Sequence, residues 1–316
     1  MYLDDLEKKA SNGDSTSMYA LAVAYEEGRY TEIDIDKALT WYERAADLGD
    51  KFAQVTLATI LRQEGSYTEM NKWLERAAAQ NHVLAQFRLG YSWELGLAGK
   101  VNYDLAEYWY RRAAMRGDSE SHFRLGLLYH RNRCIPPDEG ASIRCFRRAA
   151  NLGHLVALAY LGEYYEQGRF VIRNYQKAVD CYRRSARGGF AGAQFCLGQL
   201  LQCGLGVERS DEEGAWWIAQ AADQGFCPAV YLMCMLSLEG RGITLDLCES
   251  CKWLIVGLNL GDPLGPTLNA FAFELEELCR AKATDWQWDE GEKRARLWLD
   301  KYSGIEFNSH GFYMDR

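Results

Sequence analysis

Residues 189–225 read GFAGAQFCLGQLLQCGLGVERSDEEGAWWIAQAADQG, and the order of residue types in this stretch decides the fold. Small residues stand four and nine positions after the opening glycine (Ala193 and Gly198), and another glycine, Gly204, follows fifteen after it. Beyond a short loop come the bulky pair Trp217-Ile218 and the small pair Ala221-Ala222, just before Gly225 opens the next copy. Aligned on that opening residue, the copies start at Gly13, Gly49, Asn81, Gly117, Gly153, Gly189, Gly225 and Gly261, 36 residues apart except for one step of 32 between Gly49 and Asn81. A period of this size belongs to stacked helical pairs, each of which can bury its apolar face only against its neighbours.

Each recurring position has a physical task. The small residues at the fourth position (Ser17, Ala53, Ala85, Ser121, Ala157, Ala193, Ala229, Gly265) and at the ninth (Ala22, Ala58, Gly90, Gly126, Gly162, Gly198, Cys234) give the first helix a narrow seam for close packing. Gly28, Gly96, Asn132, Gly168, Gly204 and Gly240, with Gly65 one step late, are residues that tolerate the left-handed backbone, so the first helix is expected to stop there. The second helix carries Trp41-Tyr42, Trp73-Leu74, Trp109-Tyr110, Cys145-Phe146, Cys181-Tyr182, Trp217-Ile218 and Trp253-Leu254, each followed at helical spacing by small residues such as Ala45-Ala46. Large side chains are thus expected to fill against small ones from turn to turn.

With these residues in hand, the string Ala193-Gln194-Phe195-Cys196-Leu197-Gly198, the loop Gly204-Leu205-Gly206-Val207 and the closing Ala-Ala-x-x-Gly resemble the Sel1-like repeat family, a relative of the tetratricopeptide repeat. The resemblance covers about Ser15 to Asp262. It implies an all-α fold, a right-handed α-solenoid superhelix of about seven helix-turn-helix repeats, and an adaptor role in binding other proteins. Around the repeats, residues 1–14 are expected to form a capping helix and residues 263–302 a diverged C-terminal helical cap. Its helices are predicted from about Thr267 to Ala283 and from about Asp289 to Tyr302, Pro263 and Pro266 being suited to a helix start. Residues 303–316 read as a tail, and the whole as one elongated domain.

Composition narrows the partners. The formal charge of −8 disfavours nucleic acid, whose phosphates are bound by clusters of Lys and Arg. Arg111-Arg112, Arg147-Arg148 and Arg183-Arg184 do recur at equivalent places on second helices, where they read as a solvated outer stripe. No apolar run follows Met1 and none elsewhere suits a bilayer, so neither signal peptide nor membrane insertion is expected, and a cytoplasmic location with reduced thiols is. The cysteine-rich disulfide framework of some secreted Sel1-like relatives is absent, alanine standing at the paired small positions.

Short motifs offer no chemistry. Gly204-x-Gly206 and Gly240-x-Gly242 follow helices and recur as the repeat loop, unlike a phosphate-binding turn. Cys248-x-x-Cys251 has metal-ligand spacing but no second pair nearby in sequence, although Cys279 could approach in space. His122 and His130 share a helix face without the acid of a zinc-hydrolase motif, and Gly-x-Ser-x-Gly and Ser-x-x-Lys do not occur. No catalytic residue, cofactor or metal is therefore expected. Tyr19, Phe87, Phe123, Phe195 and Tyr231 share one first-helix position and read as core rather than as a ladder for a partner.

Tetratricopeptide geometry, carried over from the resemblance, places the first helices on the concave surface. The positions ten, thirteen and fourteen after each opening residue then line a groove. Its expected partner-binding residues are Glu26, Glu27, Arg62, Tyr91, Glu94, Leu95, His130, Arg131, Glu163, Glu166, Gln199, Gln202, Leu238 and Glu239. These positions vary from copy to copy where the packing positions do not, as expected of a surface that reads a mixed-charge or basic protein segment. The resemblance also admits a bacterial immunity protein that neutralises a secreted toxin. An enzyme or binder of small molecules or cell-wall fragments, using polar groove residues such as His130 and Glu166, is the rival from another class. Self-association through the exposed ends is left open.

Overall fold

Why the chain breaks into short helices is visible at the helix ends. First helices begin where Asp14, Asp50, His82 and His154 accept a hydrogen bond from a backbone N–H one turn on, and second helices where Asp34, Asn102, Asn174, Ser210 and Asp246 do the same. Most first helices end on a left-handed glycine, as at Gly96 (φ 65°), whose N–H returns to Ser92 O. Asn81, the one opening residue that is not glycine, also holds a positive φ of 64°, so the backbone geometry is kept where the residue type changes.

The computed structural model describes residues 2–130, 139–260 and 266–302. Among these every regular element is a helix: α1 (Tyr2–Ser11), α2 (Ser15–Glu27), α3 (Ile35–Asp47), α4 (Lys51–Gln63), α5 (Tyr67–Ala79), α6 (Val83–Leu95), α7 (Tyr103–Ala114), α8 (Ser119–His130) and α9 (Glu139–Asn151); then α10 (Leu155–Gln167), α11 (Tyr175–Arg187), α12 (Ala191–Cys203), α13 (Asp211–Asp223), α14 (Cys227–Glu239), α15 (Leu247–Asn259), α16 (Pro266–Lys282) and α17 (Asp285–Lys301). The chain falls into two compact units, residues 1–153 and 154–316, the register of the repeat running on through the division. Within each unit, helices adjacent in sequence pack side by side, as expected of an all-α repeat fold.

The seam between paired helices is built as large against small. Tyr110, Phe146, Tyr182 and Ile218 are fully buried, each over the ninth-position glycine of its own repeat. A methyl group added to Gly90 would lie 2.7 Å from the Tyr110 ring, and one on Gly162 would lie 2.6 Å from Tyr182. Each such side chain contributes roughly 2 kcal/mol by burial, and at these four positions even the methyl of alanine would crowd it.

The irregular copy and the cap have local causes. In the shortened second repeat, α4 runs on to Gln63 and Gly65 (φ 76°) turns the chain directly into α5. At the C-terminus α16 lies within a residue of its predicted span, but α17 starts at Asp285, four residues before the predicted Asp289. Thr284 and Gln287 form a reciprocal capping box there, which fixes the start ahead of the apolar pattern used to predict it. α17 lies directly on α15: a methyl on Gly291 would meet Cys251 Cβ at 2.5 Å, and Trp298 packs against Trp253 with centroids 6.2 Å apart. Asn132, Pro263 and the tail 303–316 lie outside the described residues.

Candidate protein-binding face

Three of the glutamates predicted to line a groove have a partner within their own repeat. The Tyr42 hydroxyl donates to Glu26, Tyr110 to Glu94 at 2.6 Å and Tyr182 to Glu166 at 2.8 Å, each joining the second helix of a repeat to its first. Burial and the adjacent carboxylate push all three phenols well above their ordinary range, so they stay neutral donors. Glu94 is buried, Glu166 half-buried and Glu26 exposed. The pairing could have been read from the sequence. Glutamate stands thirteen after the opening residue where tyrosine is the second member of the bulky pair, whereas Leu74, Phe146, Ile218 and Leu254 go with Arg62, His130, Gln202 and Leu238.

The other predicted residues divide by burial. Glu27, Arg62, Leu95, Gln199 and Glu239 are exposed, whereas Gln202 and Leu238 are each only 5% exposed and belong to the interior. Glu163 and His130 are half-buried, and Glu163 accepts a hydrogen bond from Gln167 at 2.8 Å. Burial raises the Glu163 carboxyl above its usual range, against the effect of that bond. Arg131 lies outside the described residues. The shared first-helix aromatics pack inward: Tyr19, Phe87 and Phe123 meet Tyr42, Tyr110 and Phe146 with centroids 5.7, 5.9 and 5.8 Å apart.

Within residues 1–153 the face of α4, α6 and α8 is tied together by a position that the sequence reading passed over, seven after the opening residue. Arg88 there donates to Thr59 of the preceding repeat, and Arg124 lies 5.1 Å over the ring of Tyr91. The rule is the same in both cases: the seventh position of one repeat reaches the tenth of the repeat before it. Arg124 also pairs with Glu120 at 3.0 Å. Arg88 is half-buried, and burial together with the nearby Arg62 lowers its pKa. Neither Arg62 nor Arg88 has a carboxylate at ion-pair distance among the described residues. Variation at the seventh position, from Ala20 and Thr56 to Arg88, Arg124, Tyr160 and Cys196, was the signal available for it.

The short motifs take structural places. Gly204 caps α12, and Gly206 (φ 70°) turns against the start of α11. Cys279 does approach the Cys248-x-x-Cys251 region: its sulfur is 3.7 Å from that of Cys234 and 3.4 Å from the Ser250 hydroxyl, in the interior of residues 154–316. Among the described residues no group of three or more His, Cys, Asp or Glu is arranged to hold a metal, and no helix is long and apolar enough to cross a membrane.

Helical pairs in this register, with constant seams and varying outer positions, define an α-helical repeat scaffold. The chain belongs to the Sel1 repeat family: the Sel1 repeat model matches residues 15–50, 71–82, 83–118, 119–154, 155–190 and 191–226, together more than half of the sequence. The match is interrupted at the shortened second copy. A Sel1-like repeat-containing protein of Acanthamoeba polyphaga mimivirus is 33% identical over 84 residues, 27% of this chain and 16% of that protein. Among solved structures, c5321, a protective antigen of uropathogenic Escherichia coli strains, is similar with a TM-score of 0.84 at 28% identity over 96% of this chain and 65% of its own. A Sel1 repeat protein from Oxalobacter formigenes is similar with a TM-score of 0.72 at 25% identity, over 95% of this chain and 90% of its own. The chain thus spans less than two thirds of both the mimivirus protein and c5321.

Proposed function

We propose that this chain is a protein-binding scaffold that engages its partner on the face formed by first helices, and that in residues 1–153 it does so through α4, α6 and α8. The observation that carries this reading is the pair Arg62 and Arg88. Among the described residues these two guanidiniums have no carboxylate at ion-pair distance, while Glu94, on the same helix as Arg88, is engaged by Tyr110. Next to them stand the half-buried Tyr91 ring and the exposed Leu95. A partner segment that places a carboxylate between the arginines and an apolar side chain on Tyr91 and Leu95 satisfies both features. The partner is accordingly a mixed-charge protein segment with an acidic residue at the contact. The stacked helices present these groups preorganised, which lowers the ordering cost of binding.

The test is affinity capture from the extract of the cell that makes the protein, comparing wild type with an Arg62→Glu/Arg88→Glu variant whose fold is checked by circular dichroism. The reading predicts a stoichiometric protein partner on wild type that is lost, or weakened by tenfold or more, on the folded variant. Equal capture by both would place the binding elsewhere.

A further inference from the structure

In residues 1–153 the fourth repeat lacks an indole that the three before it use as packing. Eight positions before the next opening residue stand Trp41, Trp73 and Trp109, and in this repeat Cys145. Three residues further on is an arginine, and in the tryptophan-bearing copies it lies over the ring: Arg44 at 5.0 Å from Trp41, Arg76 at 4.6 Å from Trp73 and Arg112 at 5.6 Å from Trp109. Arg148 keeps that place, and among the described residues no ring lies beneath it. A cavity of about 290 Å³ opens there between α7 and α9, with α8 as its floor, and Cys145 and Arg148 line it.

The floor carries a buried polar atom without a partner. Five after the opening residue stand Gln54, Gln86 and His122. The two glutamines donate to Ala46 O and Ala78 O of the preceding second helix, and His122 takes their place facing the Ala114 carbonyl. Gln54 then uses its oxygen to accept from Gln80, the residue just before the next opening position, whereas the buried Gln86 Oε1 has no partner among the described residues. In the fourth repeat that plug is Leu152, which cannot donate. His122 is 7% exposed, lines the cavity, and its Nδ1 is buried without a hydrogen-bond partner. Burial and the charge of Arg148 hold the imidazole below its ordinary pKa. At neutral pH the ring is therefore uncharged, and in the tautomer protonated at Nε2 the buried Nδ1 is an acceptor. A buried acceptor of this kind is costly to leave unmatched.

We propose that this cavity is a binding site for a small planar aromatic acid carrying an N–H or O–H donor, its ring taking the place of the missing indole. Each part of the ligand has a counterpart. The ring stacks under Arg148 as the indoles do under Arg44, Arg76 and Arg112. Its donor meets His122 Nδ1, and its acid group meets the cationic rim of Arg111, Arg144 and Arg148. On the α7 side of this rim Glu107 bridges Arg111 at 2.7 Å, and its carboxylate is shared with the Tyr129 hydroxyl, from which it accepts at 2.7 Å. In residues 154–316, Cys181 makes the same replacement for tryptophan, but Leu158 stands where His122 does, so the acceptor is not repeated.

The test is isothermal titration of the full chain with indole-3-acetate, with indole and acetate as partial probes. Saturable one-to-one binding is expected with Kd about 0.1 mM, each partial probe binding at least tenfold more weakly. Cys145→Trp, which restores the residue of the sister repeats, should abolish binding while keeping or raising Tm, and Arg148→Gln should weaken it about tenfold. Absence of saturable binding to wild type, or equal affinity in a folded Cys145→Trp protein, overturns the proposal. Should Cys145→Trp not fold, equal affinity in the surface variant Arg148→Gln overturns it in the same way.

Discussion

Tyr110 does two things at once: its ring fills the space left by Gly90, and its hydroxyl is the donor for the buried carboxylate of Glu94. Tyr42 and Glu26 make the same bond, but Glu26 is exposed and can turn to water. Tyr110→Phe leaves a buried acceptor unmatched and is expected to cost about 1–3 kcal/mol, whereas Tyr42→Phe should cost well under half as much. Thermal or urea unfolding of the two variants checks this, and equal losses would mean that burial of the carboxylate is not what makes the bond matter. These pairs show where reading by residue stops short. The exchange of Glu with Tyr across copies was present in the sequence, yet its members stand sixteen apart on different helices, outside any pattern that follows one helix face. Assigning all thirteenth positions to a groove therefore grouped tied carboxylates such as Glu94 with free cations such as Arg62.

At the scale of the element, helix pairs differ in how near they come. Where a ninth-position glycine faces a ring, the neighbour is a side chain; at Gly198 it is also backbone, since an added methyl would lie 2.7 Å from Gly214 O and 2.6 Å from Ile218. A ring can tilt by a few tenths of an ångström, but a helix carbonyl moves only with its helix. Gly198→Ala should therefore destabilise by roughly 1–3 kcal/mol through separation of α12 and α13. Ala58→Gly, at the same position of the second repeat, should cost only about 1 kcal/mol of helix propensity. Differential scanning calorimetry of both variants decides, a smaller loss for Gly198→Ala contradicting the close approach. Helix extents were legible because caps and glycine stops repeat. The start of α17 was not, because a single Thr284–Gln287 capping box has no copies to reinforce it.

The whole molecule repeats one plan, and its function has to be sought where the plan varies. The period made the fold and the family plain from sequence, since each copy states the same packing again. The proposed binding face was legible only as a set of variable positions. Its cross-repeat ties, Arg88 to Thr59 and Arg124 over Tyr91, depend on how one repeat is stepped against the next, which no single copy encodes. The fourth-repeat cavity was equally hidden, because Cys145 reads as one more bulky-pair residue until the rings around it are placed. The central claim is that partners meet the first helices, and site-specific photocrosslinking tests it most directly. A photoreactive residue is placed in turn at the exposed first-helix positions Gln63 and Leu95 and at the exposed second-helix positions Glu75 and Tyr108, in otherwise wild-type protein. Covalent capture of the same protein from Gln63 and Leu95, with little or none from Glu75 and Tyr108, is the predicted result. Capture chiefly from Glu75 and Tyr108 would contradict the account and move the binding surface to the second helices.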